Sequence, residues 1–167
     1  MADNAEQDAV DIRRAQWARE LPDLDTGPMA VLGRIWRIAN LVAPGIEATF
    51  RSFGLDRGEF DVISTLRRAG PPWRLTPTEL YTMLMISSGG LTHRLDRLEK
   101  AGLIRREASP QDGRSRAVAL TDAGAALAEQ AFRADMAQEA ETLSRLAPEE
   151  REALAGLLRK LALALEG

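Results

Sequence analysis

Ser87 to Arg106, "SSGGLTHRLDRLEKAGLIRR", gathers five Lys/Arg residues and the chain's one histidine in a protein whose formal net charge is −3. Guanidinium and ammonium groups at this density bind phosphate or carboxylate oxygens, arginine through a two-pronged fork. The same stretch reads as a helix, yet it opens on Gly89 and Gly90, each costing about 1 kcal/mol relative to alanine inside a helix. Glycines there let the backbone come close to another surface. That surface is either the preceding helix or the groove of a nucleic acid, and both can hold at once.

Other chemistries are poorly supplied. The chain has no cysteine, so it has neither a disulfide framework nor a thiolate metal site. His93 has no second histidine to share a metal ion. No Ser/His/Asp or Cys/His set is available, and no glycine-rich phosphate loop follows a strand. These features predict a protein that is not an enzyme, with no catalytic residues, metal or cofactor.

The elements that must position the cationic stretch can be read from caps and periodicity. Ala9 to Glu20 predicts a short helix, ended by "LPDLDTGP". From Met29, the residues Leu32, Ile35, Ile38 or Ala39, Val42, Ile46, Phe50 and Phe53 recur at helical spacing. Pro44 predicts a kink or interruption there, and Gly54 a stop. Asp56, with Glu59 three residues on, has the form of a capping box. Phe60, Ile63 and Leu66 give that helix its apolar face. Thr76-Pro77-Thr78-Glu79 opens another, ending near Met83.

In the cationic helix Ser87 or Ser88 is the expected N-cap, and Leu91, Leu95 and Leu98 its inner face. Gly102 is its left-handed terminator. "LIRREA" and "RAVAL" predict two strands joined by "SPQDGRS". Thr121 caps an alanine-rich helix running through Phe132, Met136, Ala140 and Leu143. A last helix follows Pro148, with Leu154, Leu157, Leu158, Leu161 and Leu165 as its stripe. Its cap position, Ala147, has no side chain with which to cap it.

Composition is that of an ordinary globular domain, 45% hydrophobic and 28% charged. The acidic, polar N-terminus has no apolar core of a signal peptide, and no run is long enough to span a membrane. A cytoplasmic location is expected. Charge is segregated: residues 91–116 hold seven Lys/Arg against four acids, residues 1–25 seven acids against three arginines.

Two helices joined by a tight turn, then a hairpin, form a winged helix-turn-helix. With the leucines inward, Gly89, His93, Asp96, Arg97 and Lys100 face outward, towards a major groove if duplex DNA is the partner. Ser87, Ser88, Gly89, Thr92, His93 and Arg97 are then the DNA-facing candidates on the helix, the serines through phosphates. Arg114 at the wing tip suits a narrow minor groove, with Arg116 or Asp112 bracing it. A winged-helix module used for protein contacts is the alternative, and the cationic helix and wing weigh against it.

Residues 55–125 carry "LTPTELYTMLMISSGGLTHRLDRLEKAGLI", then D-G-R in the wing, then "ALTDAG". This combination resembles the MarR family of dimeric winged-helix transcription regulators, and the resemblance extends over nearly the whole chain. It implies a mainly α fold: an extra N-terminal helix and connector (1–25), a dimerisation helix (26–54), the winged helix-turn-helix (55–120) and C-terminal dimerisation helices (121–167). It also implies a homodimer on a pseudopalindromic operator, a repressor released by a small anion, with activation as the alternative.

Two arginines do not fit the DNA face. Arg94 lies ~60° from the centre of the apolar stripe, and strand alternation puts Arg106 beside Ile104 on the inner face. Such guanidiniums need anionic partners. Asp61 or Glu59 can supply them structurally, or a bound anion can. "WARELPDLDTGPM" and "GEFDVISTLRRAGPP" resemble the PecS/HucR-like, urate-responsive branch of the family. That resemblance implies a urate site made by Trp17, Asp61, Arg94 and Arg106, with other phenolic or carboxylate anions as alternatives and plain packing as the other role for Trp17. "THRL" departs from the branch's commoner "TNRI". On its own helix Asp61 points away from Phe60, Ile63 and Leu66.

Overall fold

The computed structural model describes residues 7–84, 90–108 and 116–166. The chain divides into two units, residues 1–44 and 45–167.

In the first unit, α1 (Ala9–Glu20) has the boundaries its sequence predicts. The Asp8 carboxylate accepts the Val10 and Asp11 N–H groups at 2.8 and 2.9 Å, and Asp11 returns a bond to the Asp8 N–H. Arg34, on α2 (Gly27–Ser52), ties α1 down by pairing with Asp8 at 2.9 Å and Asp11 at 2.7 Å. The Asp11 N–H first, then Arg34, holds the Asp8 carboxyl below its ordinary range. Val10 is the one fully buried apolar side chain described in this unit. Leu32, Ile35, Trp36, Ile38 and Leu41 of α2 remain exposed, Trp36 at 71%. The helix runs without interruption through Pro44, where a kink or interruption was expected.

The second unit is built round α3 (Arg57–Arg68), whose Asp56–Glu59 capping box forms as predicted. After α3 come β1 (Arg74–Leu75), α4 (Pro77–Met83), α5 (Leu91–Lys100), β2 (Ile104–Ala108), β3 (Arg116–Leu120), α6 (Asp122–Thr142) and α7 (Pro148–Glu166). The fold is a winged helix-turn-helix: α4 and α5 are the helix pair, β2 and β3 the wing. The sheet has three strands, not the predicted two. β3 lies in the middle, pairing antiparallel with β2 (Arg106 opposite Val118) and with β1 (Leu75 opposite Val118).

Phe50 stacks on Phe60 with centroids 4.0 Å apart, and Ile63, Leu66, Leu80, Leu95, Leu98, Ile104, Val118 and Leu120 complete the core. Thr76 caps α4 with Pro77 in its first turn, and Gly102, at φ 72°, terminates α5 as predicted. At the start of α7 the Glu150 carboxylate accepts the Ala147 N–H at 2.7 Å, so half a capping box serves where the cap residue has no side chain. No residue of α7 is buried, and Leu157, Leu163 and Leu165 are each more than 60% exposed. Among the described residues no helix is long and apolar enough to cross a membrane.

Candidate nucleic-acid interface

The leucine stripe places α5. Leu95 and Leu98 are buried, which turns Thr92, His93, Asp96 and Lys100 to the surface. The N-cap is Gly90, not Ser87 or Ser88, and it sits in the left-handed region at φ 77°, ψ 13°. A left-handed cap suits glycine and deprives the helix of a cap from that residue's own side chain. Of the predicted DNA-facing residues, Ser87, Ser88, Gly89 and Arg114 lie outside the described residues. Thr92, His93 and Arg116 are exposed.

Arg97 is half-exposed and already engaged. Its Nε lies 2.9 Å from Glu59 Oε1, its Nη2 donates to Glu59 Oε2 at 3.2 Å, and its Nη1 lies 3.4 Å from Asp56 Oδ2. Glu59, 3% exposed, also accepts the Asp56 N–H at 2.9 Å. One carboxylate thus closes the α3 cap and anchors the cationic helix.

Arg106 is drawn inward as alternation predicts, with its side chain 24% exposed. Its partners are neither Asp61 nor Glu59. Asp96 lies 2.5 Å from Nη2 and Glu99 3.0 Å from Nη1, both on α5. The reason is spatial: β2 runs beside α5, whereas Glu59 is taken by Arg97. Arg94 lies against the start of α3, where a Cβ on Gly58 would fall 2.2 Å from its Nε. Asp61, one turn further along the same face of α3, is 7% exposed. Its own helix predicts the opposite; it is buried because α3 is covered on nearly every side, by α4, α5, α6 and β3. Trp17, 48% exposed, belongs to the first unit.

An open cleft of about 550 Å³ lies between α4 and the start of α5, lined by Pro77, Thr78, Tyr81, Thr82, Leu91 and Thr92. Tyr81 is 59% exposed. An exposed aromatic on the outer face of a seven-residue helix was the available signal.

Comparison with known proteins agrees with this architecture. Residues 53–115 match the family model described as the MarR family. The chain is 39% identical over 146 residues to the HTH-type transcriptional regulator PecS of Dickeya dadantii, covering 87% of this chain and 88% of that protein. It is 32% identical over 129 residues to the HTH-type transcriptional repressor Rv2887 of Mycobacterium tuberculosis, covering 77% and 89%. Its fold is similar to that of Sco3205, a MarR family transcriptional regulator from Streptomyces coelicolor solved in complex with DNA. The TM-score there is 0.73 at 27% identity, over 85% of this chain and 93% of that one.

Proposed function

The chain belongs to the MarR family of DNA-binding transcription regulators, and from that premise we propose that it is a homodimeric repressor released from a pseudopalindromic operator by a small anion, urate first. Like its relatives it is a regulator and not an enzyme. On this reading Ser87, Ser88, Gly89, Thr92, His93 and Arg97 of the helix-turn-helix are the residues assigned to the major-groove contact, and Arg114 of the wing to the minor groove, with Arg116 or Asp112 bracing it.

The dimer is supported by apolar surface. The exposed leucines of α7, and separately Trp36 and Leu41 of α2, are more than an isolated chain leaves in water at about 25 cal/mol per Å². A second copy of the chain covers them and sets two recognition helices about one DNA turn apart.

The observation that carries the effector reading is Arg94 packed over Gly58, one helical turn from buried Asp61. A guanidinium of the recognition helix there shares a border with α3, so an anion bound to it moves the helix that reads DNA. Arg106 is the second cationic partner, and the family resemblance adds Trp17. Other planar carboxylates suit the same arginines.

The test is a thermal-shift screen of purines, phenolic acids and tricarboxylates, run beside release from a duplex selected out of a random DNA pool. Urate is expected to raise Tm and lower DNA occupancy. If urate changes neither, urate is not the effector, and the regulator assignment stands.

A further inference from the structure

Ion pairs of opposite sense hold α5 on its two flanks. Towards α3 the helix supplies the cation, Arg97, to Glu59 and Asp56. Towards β2 it supplies the anions. Asp96 and Glu99 hold the two terminal nitrogens of Arg106, and Glu99 Oε1 also accepts the Arg106 backbone N–H at 3.2 Å. Two carboxylates on one guanidinium leave this cluster with a net charge of −1. The Asp96 side chain is 55% exposed and that of Glu99 38%, so water reaches both pairs and a dissolved anion can exchange with them.

We propose that Asp96 and Glu99 form an internal counter-anion that an anionic effector must displace from Arg106, and that this displacement couples effector binding to movement of α5. The inference rests on the effector reading above and adds two positioning residues to it. A guanidinium presents five N–H donors in a fixed fork, and here both terminal nitrogens face a carboxylate. An anion that docks on those nitrogens takes the place of at least one of them. The displaced carboxylate and the incoming anion then carry like charge at short range. Their repulsion drives α5 away from β2, while β2 stays paired to β3. The Arg97–Glu59 pair still holds the other flank, so α5 pivots about its contact with α3.

The test uses Asp96→Asn/Glu99→Gln in the full chain with urate as the probe. The amide oxygens still accept N–H bonds from Arg106, so geometry is kept while the charge is removed. Calorimetry on free protein and on the protein–duplex complex gives two dissociation constants, and their ratio measures coupling independently of the variant's DNA affinity. Urate is expected to bind the free variant roughly three- to tenfold more tightly than wild type, the scale of a partly exposed ion pair. The coupling ratio is expected to fall towards one. A merely structural defect lowers affinity and Tm together. If wild type binds urate and the variant binds no more tightly, the counter-anion is refuted and the effector reading survives. If neither protein binds urate, both fail. Binding by the variant alone supports the counter-anion, as the unmasking of Arg106. Should the double variant not fold, Glu99→Gln alone gives the same comparison with a smaller gain.

Discussion

Arg97 of α5 and Glu59 of α3 are joined at two points, Nε to Oε1 at 2.9 Å and Nη2 to Oε2 at 3.2 Å. Glu59 is nearly inaccessible and closes the α3 capping box, so this pair fixes the recognition helix to the centre of the domain. Arg97 is therefore able to act on DNA in two ways, by touching phosphate or by holding α5. Glu59→Gln separates them. It is expected to destabilise the fold by about 1–2 kcal/mol, through the weakened cap and the half-buried pair. It should also lower DNA affinity with the salt slope unchanged. Arg97→Ala is expected to reduce the slope of log affinity against log salt by about one if the guanidinium contacts phosphate. Equal slopes in wild type and Arg97→Ala would make Arg97 a positioning residue alone.

Gly58→Ala tests the proposed effector site without touching an ionisable group. An alanine Cβ would fall 2.2 Å from Arg94 Nε and 2.5 Å from its Cζ, so the guanidinium has to move. Because it is the far end of a flexible side chain that yields, stability is expected to change by no more than about 1 kcal/mol. The intrinsic helical gain of alanine over glycine opposes the lost contact. The response of DNA binding to urate is expected to be lost. A variant that melts normally and still releases DNA at the wild-type urate concentration would remove Arg94 from the effector site.

The elements fixed by local chemistry were legible from the sequence, and those fixed by distant contacts were not. The capping boxes of Asp56 with Glu59 and Thr76 with Glu79, and the left-handed Gly102, act within one turn and appear where they were expected. β1 is two residues long and exists through its pairing with β3, so periodicity carries no trace of it. Within the site, alternation drew Arg106 inward correctly. Its partners were hidden because Asp96 lies on what looks like the solvent face of α5 until β2 is laid beside it. Asp61 contradicts its own helical wheel for the same kind of reason, since helix periodicity cannot register a helix covered on nearly every side.

Asp135 on α6 predicts an unusual pH dependence. It is 6% exposed, and its Oδ1, like Oε1 of Gln138 one turn on, has no hydrogen-bond donor among the described residues. Burial first, then the Glu139 carboxylate, raises its pKa from the ordinary 3.8, against the pull of Arg57. A raised acid favours the protonated folded state. The stability it contributes is therefore complete below 3.8 and is lost as pH climbs through the raised value. Asp135→Asn is expected to melt above wild type at neutral pH, with the gap narrowing as pH falls towards 3.8. A gap that stays constant across this range would mean that the carboxyl does not titrate as argued.

The exposed stripe of α7 is the place to test whether the protein works as a pair. Leu157 is 68% exposed and Leu158 42%, on a helix with no buried residue, so neither leucine holds the second unit together from within. A charge at Leu157 is thus nearly neutral for an isolated chain but buries an unpaired carboxylate if a second copy packs there, a cost of several kcal/mol. If the proposed dimer forms through α7, Leu157→Glu is expected to sediment as a monomer where the wild type sediments as a dimer, while far-ultraviolet circular dichroism stays that of a helical fold. DNA affinity is expected to fall by at least tenfold, because one recognition helix then reads a half-site without its twin. A dimer that survives the substitution would place the interface elsewhere and leave the α7 leucines unexplained. A monomeric variant with undiminished operator affinity would separate dimerisation from DNA reading altogether.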